Sequence, residues 1–282
     1  MSINTNLLVL AAILPAVLLC NYVYRKDRVE KEPMGLLLLL FFAGVFSCFP
    51  AILGENVLMA VIDIVFNILL KLGIPVSVLN IPYTAVTYFI GVALVEEGLK
   101  WVFLLWITKN NKNFNCLFDG LIYAVFVSLG FAAFENIMYV VQNGWANAVM
   151  RAILSVPGHM FFAVMMGYYY SRWNIVKIAA ETEAELVSRG IIEKKAYPEF
   201  NYKRDAVLSL LVPIVFHGTY NFCCSMDHWI FTLAFYGFVI FMYVHCFGKI
   251  KDMSTEDTPN GKRMLKMLLD KYPDLYERVT NG

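Results

Sequence analysis

Two adjacent acids, Glu96 and Glu97, and then Lys100 stand near the middle of an apolar run from Tyr83 to Ile107. On a helix Lys100 falls four residues after the first and three after the second, so one ammonium neutralises only one of two carboxylates. The other must be protonated, solvated or bound, and neighbouring acids in low dielectric have their proton affinities pushed apart. That is how a general base is prepared. Three more polar groups interrupt apolar runs. Phe131-Ala132-Ala133-Phe134-Glu135-Asn136 puts Glu135 one turn after Phe131 with an amide beside it. His159 belongs to a ridge with Ser155, Ala163 and Gly167, spaced by four, and small residues there let another helix approach the imidazole closely. His217-Gly218-Thr219-Tyr220-Asn221 stacks an imidazole and a carboxamide one turn apart, a pair able to donate and accept hydrogen bonds toward one point.

Each of these has a bland explanation taken singly: an interhelical ion pair, an interhelical hydrogen bond, a satisfied core histidine. Their concentration argues otherwise. An ionisable group inside a membrane span costs about a few kcal/mol, so such groups persist mainly where they pair, line water or perform chemistry. That these runs are membrane spans follows from composition. Of 282 residues 59% are hydrophobic and only 16% charged, with a mean hydropathy of +0.61. A soluble fold cannot hide that much apolar surface, so soluble enzymes, disordered chains and secreted disulfide scaffolds are excluded. A net charge of +1 offers nucleic acid no basic footprint. Cys20, Cys48, Cys116, Cys223, Cys224 and Cys246 have no zinc-like spacing and read as small packing residues.

Seven runs are long enough to span a bilayer as helices: Leu7 to Val23, Met34 to Leu53, Tyr83 to Ile107, Leu117 to Val141, Ala148 to Tyr170, Ala206 to Cys224 and Trp229 to Phe247. The first lacks a small-residue cleavage site and reads as an uncleaved anchor. An eighth stretch, Val57 to Gly73, repeats Asp63, Asn67 and Lys71 every four residues. That polar stripe suits an interfacial helix, or one lining a wet cavity. The fold class is therefore all-α: a polytopic transmembrane helix bundle of seven spans, eight if this stretch also crosses, plus an interfacial helix. With seven spans and the N-terminus outside, the four Lys and Arg of segment 24 to 33, the two of 108 to 116, the seven of 171 to 205 and the seven after 248 all fall on the cytoplasmic side. The expected localisation is the cell membrane, multi-pass, with a cytoplasmic C-terminus. The parts are a two-span anchor at 1–56, an amphipathic or interfacial segment at 57–81, a membrane core at 82–248 with a cytoplasmic insertion at 171–205, and an amphipathic tail at 249–282. In the tail Met264, Leu265, Leu268 and Leu269, flanked by Lys262, Arg263, Lys266 and Lys271, suit a helix on anionic headgroups, or a solvated tail.

Groups on separate helices must meet in one plane to act together. At 1.5 Å per residue Glu96 lies about 20 Å from the outer end of its span, His159 about 17 Å, Glu135 and His217 about 10 Å and Asn221 about 5 Å, which centres them in the outer half of the bilayer. A water-accessible chamber opening outward is implied. Asp119, at the start of its span, is expected to cap a helix N-terminus. His228 and His245 fall outside the cluster.

The EExxK of Glu96, Glu97 and Lys100, the FxxxEN of Phe131, Glu135 and Asn136, His159 in its apolar span, and the HGxYN of His217 to Asn221 together resemble the PrsW family of intramembrane proteases, distant relatives of the CAAX prenyl endopeptidases. The resemblance covers roughly residues 83 to 224, with the four motifs in family order. It implies an endopeptidase that makes the first cut in a single-span, membrane-anchored anti-sigma factor, near the extracytoplasmic face. It also implies that Glu96 with Glu97 and His159 activate water and that His217 and Asn221 stabilise the oxyanion, with Glu135 at the second-motif position. Hydrolysing a peptide bond in a membrane needs water, a base and an oxyanion donor, and these residues supply all three. No HExxH is present, so a metal-free glutamate mechanism with no cofactor is favoured. Zinc held by Glu97, Glu135, His159 and His217, as in a zinc-dependent CAAX-type protease, is one alternative. A proton-coupled membrane transporter using the same acids and histidines is the other.

Overall fold

Backbone polar groups in lipid are satisfied inside helices or closed barrels, and the computed structural model, which describes residues 3–195 and 201–281, is helical accordingly. Among those residues there is no strand. Residues 196–200 of the expected cytoplasmic insertion lie outside the described residues. The elements are α1 (Ile3–Lys26), α2 (Met34–Lys71), α3 (Val76–Val86), a π-helical segment (Thr87–Ala93), α4 (Leu94–Thr108), α5 (Asp119–Ile153), α6 (Ser155–Ser188), α7 (Tyr202–Ser225), α8 (Trp229–Thr255), α9 (Asn260–Lys271) and α10 (Leu275–Asn281). Six helical stretches among the described residues are long and apolar enough to cross a membrane. The longest, from Asp119 to Ser188, breaks its helical path at Gly144, where φ is 76°, a value that favours glycine. Beyond it the chain doubles back, so that α5 and α6 run antiparallel.

α5 is the axis of the bundle, buried almost continuously from Asp119 to Ala133. Glycines let its neighbours reach its main chain. A Cβ on Gly44 of α2 would fall 1.8 Å from Val127 O, and one on Gly130 of α5 would fall 1.9 Å from Phe41 O. α2 and α5 therefore cross backbone on backbone. The small-residue ridge expected on α6 works the same way: a Cβ on Gly167 would lie 2.4 Å from Leu121 Cα, and Ser128 Oγ donates to His159 O at 2.9 Å. Lipid-facing surface is apolar, with Leu39, Phe46, Leu53, Trp106, Leu233 and Val244 all exposed.

Three expectations change. The stretch from Val57 to Gly73 is no separate interfacial helix, because α2 runs unbroken through it to Lys71. At 1.5 Å per residue α2 spans about 57 Å, well beyond a hydrocarbon core of about 30 Å. Its Asp63 accepts a hydrogen bond from Tyr83 of α3 at 2.8 Å, which folds the pair into a hairpin. In the tail, Met264, Leu268 and Leu269 pack against Leu186, Val187, Ile191 and Ile192 beyond the end of the fifth apolar run. The stripe thus covers protein, leaving Leu265 exposed. A buried Lys271 and Glu183 pair, 2.7 Å apart, pins that contact. Finally, Asp119 does not cap α5. It accepts from the backbone N–H groups of Asn115 at 2.8 Å and Cys116 at 2.6 Å, in the loop before the helix.

That loop meets residues from both chain ends. Phe118 N–H donates to Asp257, Leu117 N–H to Thr258 O and Tyr123 OH to Glu32, while Ser254 donates to Lys26 O. Asp27, Glu32, Asp119 and Asp257 are all buried here. Burial pushes the Asp27 carboxyl up to about 6 and that of Glu32 up to about 7, and raises Asp257 as well.

Candidate active site

The π-helical segment carries the chain into the first motif. Its wider turn sets Tyr88 and Val92 toward an internal chamber and Phe89 against α7, where a Cβ on Gly218 would fall 2.4 Å from the Phe89 ring. Contact at that glycine seats His217 next to the start of α4. There His217 Nδ1–H donates to Glu97 Oε1 at 2.9 Å, leaving Nε2 as the nitrogen free for the chamber.

Lys100 is the hub. Fully buried, its ammonium donates to Glu97 Oε1 at 2.7 Å, Glu96 Oε2 at 3.2 Å and His159 Nδ1 at 3.2 Å, and lies 4.1 Å from the centre of the Phe131 ring. The phenylalanine of the second motif thus forms the floor beneath the cation. Because an ammonium only donates, His159 Nδ1 is an acceptor, and Nε2–H points at Glu135 Oε2, 2.9 Å away. The same oxygen receives Arg151 Nη2 at 2.8 Å, while Arg151 Nε donates to Asn136 Oδ1 at 2.8 Å and the guanidinium stacks over Tyr139. Asn136 in turn donates to Ala12 O at 2.7 Å, tying the network to α1. Phe162 lies parallel to His217 with ring centres 4.7 Å apart, and the two imidazoles meet edge to face at 5.4 Å.

All seven residues singled out by spacing therefore share one region, on α4, α5, α6 and α7. Glu96, Glu135, His159, His217 and Asn221 line a cavity of about 760 Å³. Its walls run out to Gln142, Cys224 and Thr232, at the end of the bundle where α5 turns into α6 and α7 into α8. Glu97 and Lys100 sit behind this lining. Glu97 has no exposed surface, and its Oε2 has no hydrogen-bond partner among the described residues. Spacing missed two contributors. Arg151 and Phe162 belong to none of the four motifs, and nothing in their spacing sets them apart.

Glu96, Glu97 and His159 each bring a donor atom within 4.8 Å of the others, the only trio of acids, cysteines or histidines that does so among the described residues. The Lys100 ammonium already lies within 3.2 Å of all three side chains, so the space between them holds one positive charge. The four residues considered for zinc, Glu97, Glu135, His159 and His217, instead form two separate hydrogen-bonded pairs.

Known proteins match this chain well. A family model described as PrsW family intramembrane metalloprotease matches residues 32–246. Protease PrsW of Oceanobacillus iheyensis is 29% identical over 242 residues, covering 86% of this chain and 93% of that protein. Protease PrsW of Geobacillus kaustophilus is 31% identical over 214 residues, covering 76% and 78%, and that of Clostridioides difficile is 30% identical over 228 residues, covering 78% and 80%. No solved structure matches. With all four motifs inside the matched region and the acids, histidines and amide gathered at one membrane chamber, the chain belongs to the PrsW family of intramembrane proteases.

Proposed function

We propose that the chain cuts a peptide bond in a single-span membrane protein of the anti-sigma factor class, with Glu96 as the base and no metal. The observation carrying this is the place of Glu96: of the adjacent acids only Glu96 lines the chamber, next to His159, whose two ring nitrogens Lys100 and Glu135 already occupy, so a water entering the chamber is held by the Glu96 carboxylate. Glu96 takes the proton as that water attacks the carbonyl carbon, and returns it to the leaving amine as the C–N bond breaks. Asn221, one turn beyond His217 on the chamber wall, donates its amide N–H to the developing oxyanion. Glu97 is a positioning residue here. It neutralises Lys100 and orients His217, while the Lys100 ammonium holds His159 in the tautomer that meets Glu135.

The family description names a metalloprotease, and the residues of this site fit a metal poorly. A dication bound by Glu96, Glu97 and His159 would have to displace the Lys100 ammonium from its place beside all three. The orientation that supports cleavage near the extracytoplasmic face puts the N-terminus outside, the C-terminus in the cytoplasm and the chamber mouth outward. Co-expression with single-span anti-sigma factors tests the reading. Truncation is expected with the wild type and not with Glu96→Gln or His159→Ala at equal membrane levels. Purified protein is expected to keep its activity under chelation. Loss restored by zinc would replace the glutamate mechanism with a metal one.

A further inference from the structure

One acid of the chamber belongs to none of the motifs. Glu55 of α2 lines the same cavity as Glu96 and Glu135, and it makes no hydrogen bond or ion pair among the described residues. Its depth follows from its neighbour: a Cβ on Gly54 would meet Val95 Cγ1 at 3.0 Å, so Glu55 enters beside the residue that precedes Glu96. Cys48, Ala51 and Glu55 recur on the chamber side of α2 at helical spacing, with Cys48 against Phe131 O at 3.6 Å. Glu55 is thus the outermost acid on that wall.

The charges around the chamber do not balance. Glu55, Glu96, Glu97 and Glu135 face Lys100 and Arg151, and both cations are already committed, Lys100 to Glu96 and Glu97 and Arg151 to Glu135. Glu55 alone of the four has no cation in contact. In a cleft walled by low-dielectric protein and lipid, a carboxyl left without a partner is best satisfied by an incoming cation. We propose that Glu55 is a specificity-determining residue that receives a lysine or arginine side chain of the substrate, placed within about three residues of the scissile bond, the reach of an extended chain at about 3.3 Å per residue. This rests on the protease reading above and adds a requirement to it: substrates carrying an acid at that position are rejected by repulsion from Glu55, and those with a neutral residue bind less well.

The test uses the full-length protein in proteoliposomes with photo-crosslinkable single-span peptides. The peptides carry lysine, norleucine or glutamate at successive positions through the segment that reaches the chamber. The lysine peptide is expected to be captured about tenfold better than the norleucine peptide at one or two positions, the amount a charge-assisted hydrogen bond supplies. Glu55→Gln is expected to remove that excess and Glu55→Lys to transfer it to the glutamate peptide. Equal capture of lysine and norleucine peptides at every position, or an excess that survives Glu55→Gln, overturns the proposal. Cleavage of captured peptides, compared between wild type and Glu96→Gln, reads the protease assignment separately. Selective capture without cleavage would keep Glu55 as the selector and remove the hydrolytic mechanism, and cleavage indifferent to Glu55 would do the reverse.

Discussion

Arg151 Nη2 lies 2.8 Å from Glu135 Oε2, the oxygen that also meets His159 Nε2 at 2.9 Å. An arginine from the returning segment after Gly144 therefore fixes the carboxylate that fixes the histidine. Arg151→Met is expected to lower cleavage about ten- to hundredfold, the scale of one lost charge-assisted hydrogen bond. The loss should fall on kcat with KM little changed, and Arg151→Lys should recover part of it. An equal fall in protein level and activity in both variants would make Arg151 a purely structural residue.

The two adjacent glutamates are expected to separate by phenotype. Glu96 lines the chamber, so Glu96→Gln should abolish cleavage while leaving the melting temperature in detergent nearly unchanged. Glu97 is fully buried and serves both Lys100 and His217. Glu97→Gln should abolish cleavage and also destabilise the protein by about 3 kcal/mol, the cost of leaving a buried charge without its partner. Thermal unfolding of the two variants side by side checks this, and equal melting temperatures would contradict it.

Stability should depend on pH through the carboxylates at the opposite end of the bundle. Burial raises Asp27 to about 6 and Glu32 to about 7, whereas unfolded carboxyls titrate near about pH 4. The folded state therefore holds extra protons between these limits, and its stability falls as pH rises from about 4 through about 7. Melting temperature should drop across that window. Asp27→Asn combined with Glu32→Gln should flatten the curve, and an unchanged slope would refute the assignment.

The contact between α2 and α5 leaves no room for a methyl group at Gly44 or Gly130. Gly130→Ala should cost about 3 kcal/mol or more by forcing two backbones apart, whereas Gly35→Ala, with no atom near its would-be Cβ, should be close to neutral. Comparing detergent melting curves of the two variants decides this.

Much of this arrangement was legible in sequence because lipid makes polarity informative. Glu96, Glu97, Lys100, Glu135, His159, His217 and Asn221 stood out as costly interruptions of apolar runs, and they do gather in one region. The ridge of Ala163 and Gly167 foretold close packing of α6, which is what brings His159 to Glu135. What stayed hidden depended on long-range partners. Asp119 looked like a cap because only its place before a helix could be read, and its true partners, Asn115 and Cys116, lie in the preceding loop. The tail stripe of Met264, Leu268 and Leu269 announced an apolar face without saying whether lipid or protein covers it. Arg151 and Glu55 were visible as charges, but their roles depend on which helices face one another, and no periodicity records that.

The crossing of α2 and α5 also limits how such a sequence can diverge. Lipid-facing leucines and phenylalanines can be exchanged among themselves with little penalty, which suits a chain that keeps about 30% identity with its relatives. Gly44 and Gly130 have no such latitude, since any larger residue meets a carbonyl oxygen rather than a yielding side chain. Drift must either pass both positions by or relocate the whole crossing at once, and with it the floor on which Phe131 and Lys100 rest.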